Sequence, residues 1–359
     1  MALSSKAPAE GSWGKFIPPD YPWLQWSGRV DFRKKSARFD WAQVSVKAEF
    51  EGDACAVYLD PVDNNFNLFV DGELKAILGT RPLNKDIENY SLWKKPKSNG
   101  VHIWVLDGLG KGRHRLELNK RTGANFNIAK FYGLRLDQAA VLHKPAPAPS
   151  RRIEFIGDSL TNAYGCEAPA RECAELRPYE NSWKSYAALS ARALNAQAQV
   201  LALSGYGVVR NYGEKKKTSP KPMPFHYQRV ISGEDEILWD RSKFKPDAIV
   251  VNLGTNDFST EPVPDATTFL NGYMDLLDQA LEGRRKTPVF LISVKGRLIQ
   301  EQRTAEALAW AKDKKIDATL VEFEAAGDHE LGCDWHPQAV VHERWAKVLT
   351  QALKSHLNW

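Results

Sequence analysis

Cysteine is scarce in these 359 residues. Cys55, Cys166, Cys173 and Cys333 show no paired CxxC spacing, which argues against a zinc ribbon or a disulfide-dense small scaffold. Cys166 and Cys173 are close enough in sequence for a bridge, and two free thiols remain the alternative. No H-E-x-x-H or clustered set of His, Cys and Asp is present, so neither a metal nor another cofactor is expected. No apolar run reaches the length of a bilayer span, and residues 1–13 lack the apolar stretch of a signal peptide. A membrane partner is therefore not expected, while a leader on the natural chain is left open. Nor does charge of one sign dominate. The net charge of +5 is spread over Lys34-Lys35, Lys94-Lys95-Lys97, Lys215-Lys216-Lys217 and many pairs with acids, so a solvated surface is expected and nucleic acid is not.

What the chain has in quantity is aromatic rings: 12 Trp, 11 Tyr and 15 Phe, enough to fill cores and still leave some to stack on sugar faces. Alternating prolines from Lys144 to Ser150 deny backbone donors and favour an extended connector, which divides the chain into residues 1–143, a linker at 144–150, and residues 151–359. Before the linker, Val-, Phe-, Tyr- and Trp-rich runs at 43–50, 54–59, 66–70, 102–105, 113–118 and 129–136 alternate with turn residues such as Asp71-Gly72, Asn99-Gly100 and Asp107-Gly108. That rhythm predicts an antiparallel β-sandwich. After the linker, apolar runs at 153–156, 200–203, 248–253, 288–294 and 319–323 alternate with helical stripes, which predicts an α/β domain with a parallel sheet covered on both faces. The last helix is expected to start at Pro337 with His336 as its cap.

Four strand ends or loops carry chemistry. The first strand runs into Gly157-Asp158-Ser159-Leu160, placing a serine at the carboxyl edge of the sheet; Thr161 rules out the G-x-S-x-G elbow. The second ends in Ser204-Gly205, whose backbone N–H suits a developing oxyanion, and the third in Gly254-Thr255-Asn256-Asp257, whose Asn256 amide suits the same task. Asp334-Trp335-His336-Pro337 presents an imidazole able to take the serine proton. Each motif alone is weak. Their order, all at one predicted sheet edge, is what points to acyl transfer through Ser159 and His336.

These motifs resemble those of SGNH (GDSL) hydrolases. That resemblance implies a three-layer α/β/α domain, Ser159 as nucleophile, His336 as base, and oxyanion donors at Gly205, Asn256 and the N–H of Ser159 itself. Gly28-Arg29-Val30-Asp31-Phe32, Phe39-Asp40-Trp41, Phe50-Glu51-Gly52, Val70-Asp71-Gly72 and Gly112-Arg113-His114 resemble the jelly-roll domain of carbohydrate esterase family 2. Ser204-Gly205-Tyr206-Gly207, Arg210-Asn211-Tyr212 and Gly332-Cys333-Asp334-Trp335-His336-Pro337 resemble that family's catalytic domain. The implied activity is hydrolysis of acetyl esters on xylan, glucomannan or derived oligosaccharides, with a leaning toward the 6-hydroxyl of hexoses. Secretion or a periplasmic location follows if polymers are the substrate.

Most superfamily members place an Asp three residues before the His, where this chain has Cys333; its acid is Asp334. Either the Asp334 carboxylate reaches the imidazole by another loop path, or a backbone carbonyl such as that of Cys333 orients it in a Ser-His dyad of the kind the family includes. Trp335 is either a sugar platform or a ring packed under the loop. Arg210, Asn211 and Tyr212 either line the cleft or satisfy their own loop, and Asp158 and Asp257 are expected to hold loops rather than react. Two other functions fit parts of the pattern: a carbohydrate-binding protein without catalysis, and an esterase or thioesterase for lipid or aryl esters.

Overall fold

The computed structural model describes residues 2–4, 13–79, 100–234 and 236–359, so Lys94, Lys95, Lys97 and Asn99 lie outside the described residues. The chain divides into two compact units, Met1–Ala148 and Pro149–Trp359, with the division inside the proline-rich segment.

The first unit is antiparallel β. One sheet runs, by strand, 2–4, 102–107, 55–60, 129–137, 36–39 and 31–33, with 13–17 also beside 129–137. The other runs 141–143, 45–51, 113–120, 66–70 and 73–78, with 25–27 beside 45–51. Alternation explains the pairing at Ser45–Glu51. Val46, Ala48 and Phe50 are buried in the core, while Lys47 forms a cross-strand ion pair with Glu117 at 3.4 Å. Most of the aromatic inventory here is core: Trp41 is fully buried, and Trp26 packs edge-on against Phe39 and Phe131. Edge or short strands such as Gln25–Ser27 and Asp31–Arg33 carry no apolar alternation and were not expected from the sequence.

The second unit holds a parallel sheet of β1 (Arg151–Gly157), β2 (Ala196–Ala202), β3 (Ala248–Asn252), β4 (Val289–Val294) and β5 (Ala318–Phe323), in the order β2-β1-β3-β4-β5. Phe155, Ile156, Val250, Val251, Leu291 and Ile292 are fully buried, as a sheet covered on both faces requires. Six α-helices among the described residues accompany it: α1 (Ser159–Asn162), α2 (Tyr186–Ala193), α3 (Met223–Tyr227), α4 (Ala266–Leu281), α5 (Leu298–Asp313) and α6 (Ala339–Leu357). Helix α2 packs on α6, and α4 on α5. The chain order reverses direction across the sheet at β1, so the carboxyl ends of β1, β2 and β3 frame the crevice where ligands bind in open α/β sheets.

One expected boundary moves. Helix α6 begins at Ala339 with Gln338 as its cap, and His336-Pro337 is instead a short extended segment paired antiparallel with Leu331-Gly332. Cys333–Trp335 forms a tight turn between those two segments, which puts His336 outside the helix.

Candidate active site

The N–H groups at the start of α1 have no partner within the helix, and the sequence supplies Asp158 as a cap: its carboxylate accepts from the N–H of Leu160 at 3.0 Å. Ser159 is thereby fixed as the first helical residue just past β1, and its own N–H faces no acceptor among the described residues. The Ser159 hydroxyl lies 2.8 Å from His336 Nε2. This separation suits proton transfer from Oγ to the imidazole.

The other ring nitrogen shows what holds the imidazole. His336 Nδ1 lies 3.0 Å from the Asp334 backbone carbonyl and 3.2 Å from that of Cys333. The Asp334 carboxylate is turned elsewhere and accepts the Tyr164 hydroxyl at 2.6 Å. Of the two ways of orienting the imidazole, the carbonyl arrangement is the one present. It demands an unusual backbone, with Asp334 at φ 51° and Trp335 at φ 60°, both left-handed and uncommon for residues with side chains. Burial pushes the His336 pKa down to about 4, beyond what the two carbonyls restore, and Arg297 adds to the depression. The ring is therefore neutral across the neutral and mildly acidic range.

Gly205 follows β2 with φ 86°, and its N–H makes no hydrogen bond among the described residues; its carbonyl accepts from Tyr212 N–H at 2.8 Å. Asn256 is buried beside the same crevice, its Nδ2 donating to the Tyr206 carbonyl at 2.9 Å and to Asp158 Oδ2 at 3.1 Å. An oxyanion reaching this amide competes with the Tyr206 carbonyl for one of its two hydrogens. Asp257 anchors the floor of the crevice: its carboxylate accepts the N–H groups of Val208, Val209 and Arg210 at 2.8 to 2.9 Å. Burial raises its pKa to about 6 against the pull of those three donors. Asp158 and Asp257 thus hold loops, as their sequence setting implies.

Arg210 does not line the cleft. It is fully buried, donating to the carbonyls of Glu214, Lys216 and Glu261 and to the Thr260 hydroxyl, because a guanidinium taken from water needs several acceptors. Asn211 also braces its own loop, accepting from Gly207 N–H and donating to the Lys221 carbonyl. Tyr212, at 63% exposure and bonded through its N–H to the Gly205 carbonyl, and Trp335, at 60% and next to His336 in the chain, present open rings. Cys166 is not bridged to Cys173. Its thiol is buried and points at the Asn181 carbonyl, whereas Cys173 forms a disulfide with Cys333, their Cα atoms 5.3 Å apart. Sequence reasoning missed this bridge and Tyr164 because both contacts join segments roughly half the chain apart. No group of three or more His, Cys, Asp or Glu among the described residues is arranged to hold a metal ion.

Residues 26–147 match the family described as Carbohydrate esterase 2 N-terminal, and residues 155–355 match the GDSL-like Lipase/Acylhydrolase family. The chain is 32% identical over 351 residues to the Cellulase/esterase CelE of Acetivibrio thermocellus, covering 95% of this chain but only 40% of that longer protein. It is 28% identical to an Acetylxylan esterase / glucomannan deacetylase of Cellvibrio japonicus, covering 89% of this chain and 86% of the relative. Among solved structures, a family two carbohydrate esterase from Clostridium thermocellum in complex with cellohexaose superposes with a TM-score of 0.83 at 29% identity, covering 94% of this chain and 99% of that one.

Proposed function

The chain belongs to the GDSL-like lipase and acylhydrolase family, in its carbohydrate esterase family 2 branch, and from that premise we propose that it removes acetyl groups from plant cell-wall polysaccharides through an acetyl-enzyme on Ser159. The observation that carries this reading is the 2.8 Å approach of Ser159 Oγ to an imidazole whose far nitrogen is already held by two carbonyls. In the proposed reaction His336 Nε2 takes the hydroxyl proton as Oγ attacks the acetyl carbonyl. The unpaired N–H groups of Ser159 and Gly205, with the Asn256 amide, receive the negative charge. The sugar hydroxyl then leaves with the proton from His336, and water, activated by the same base, hydrolyses the acetyl-enzyme.

A carbohydrate substrate is supported by the first unit's match and by the solved relative's complex with a cello-oligosaccharide; acetylated xylan, glucomannan or their oligosaccharides are the specific substrates proposed. Tyr212 and Trp335 are assigned as sugar-stacking platforms because they are the exposed rings next to the oxyanion glycine and the base. The same substrates imply that the natural protein works outside the cytoplasm, secreted or in the periplasm. No helix among the described residues is long and apolar enough to cross a membrane. Acetate release from acetylated glucomannan and xylan, run in competition with a long-chain fatty ester, tests the substrate class. Preference for the glycans by at least tenfold in kcat/KM is expected, and a preference for the long-chain ester would overturn the assignment.

A further inference from the structure

The base loop is held by a left-handed turn that costs free energy, and something must keep it from relaxing. Several contacts reach the turn from the segment that follows the nucleophile. Asp334 N–H donates to the Arg171 carbonyl at 2.8 Å, and the Cys173–Cys333 disulfide ties the turn's first residue. Gly165 lies so close that an added Cβ would stand 2.4 Å from Cys333 Cβ. The most direct contact is Tyr164, five positions past Ser159, whose hydroxyl holds the Asp334 carboxylate at 2.6 Å. Its ring lies over the imidazole of His336 at a centroid distance of 4.2 Å and an interplanar angle of 33°.

Resting on the serine–histidine reading above, we propose that Tyr164 is the positioning residue of the base. Its hydroxyl fixes the Asp334 turn so that the turn's carbonyls meet Nδ1, and its ring covers one face of the imidazole. Two effects follow. Left-handed backbone is unfavourable for a residue with a side chain such as Asp334, and the hydroxyl–carboxylate bond opposes its return to ordinary conformations. When His336 becomes imidazolium in the transition state, the electron-rich ring face and the nearby carboxylate both favour the new charge. The position from which most of the superfamily aims a carboxylate at the imidazole is Cys333 here; the neighbouring Asp334 carboxylate is held by a tyrosine, and the orienting task passes to the backbone. Charged and titratable groups facing His336 are the Asp334 carboxylate, Arg297 at the start of α5 and His342 on α6; Glu180 faces Tyr164.

The test compares the parent with Tyr164→Phe, which keeps the ring, and Tyr164→Leu, which removes it. Hydrolysis of 4-nitrophenyl acetate is followed from pH 4 to 9, the rate of Ser159 labelling by a fluorophosphonate is measured, and thermal melting checks folding. Tyr164→Phe is expected to lower kcat about tenfold with KM within about twofold, and Tyr164→Leu about a hundredfold. In Tyr164→Phe, which keeps the ring over the imidazole, the acid limb of kcat/KM should move upward by about one pH unit, as a loosened loop admits water to His336. A purely structural role would lower the melting temperature and the active fraction and leave that limb in place. Tyr164→Phe with parental kcat and a parental acid limb overturns the inference alone. A folded parent that neither labels nor turns over overturns the serine–histidine reading and the inference with it.

Discussion

At the scale of single residues, the groups proposed as nucleophile and oxyanion donors could be picked out because each follows the end of an apolar run, and His336 because it stands just before the last helical stripe. A strand end at the carboxyl edge of a parallel sheet leaves a side chain few places to point. The orienting group of His336 stayed open in the sequence between the Asp334 carboxylate and a backbone carbonyl, since a carbonyl has no sequence signature and only the left-handed backbone at Asp334 and Trp335 aims it. Arg210, left open between lining the cleft and satisfying its own loop, takes the second place for a related reason. A charged residue after an oxyanion loop reads as exposed, yet this one is fully buried among carbonyls. The carbonyl arrangement makes a specific prediction for Asp334→Ala. Loss of the tyrosine anchor should reduce kcat about tenfold, whereas removal of a triad carboxylate costs roughly ten-thousandfold. A loss beyond a thousandfold would return the orienting role to the carboxylate.

At the scale of elements, the five strands of the parallel sheet were visible as short apolar runs, and α4 and α6 as apolar stripes. Helix α5 was invisible. Its buried positions are Gln300, Thr304, Ala307 and Ala311, small or polar side chains that carry helical spacing but little apolar contrast. Loop pairing was equally hidden, and the Cys173–Cys333 bridge spans 160 residues. That bridge anchors the turn whose carbonyls hold His336, so its loss should affect stability and catalysis together. Reduction, or paired Cys173→Ser and Cys333→Ser, removes a cross-link of a kind typically worth about 2 to 5 kcal/mol, enough to lower Tm by about 5 to 15 °C for a unit of this size. Acetate release should fall in parallel and return on reoxidation in the reduced parent. Parental melting and activity after complete reduction would show that the turn holds itself.

At the scale of the molecule, the proline-rich segment separates two rhythms, alternating strands before it and strand–helix repeats after it, and the two compact units follow that change of rhythm. Each unit encloses its own aromatic or aliphatic core: Trp41, Phe50 and Phe66 in the first, Phe155, Val250 and Leu291 in the second. All the groups proposed for catalysis, from Ser159 to His336, belong to the second unit. The central claim is that this unit acts through a serine nucleophile, and acetate release by Ser159→Ala against the parent, with equal melting temperatures, tests it most directly. The account predicts that the variant keeps its fold and loses at least a thousandfold in kcat on both acetylated glycan and 4-nitrophenyl acetate. A folded variant retaining a tenth or more of the parental rate would contradict it.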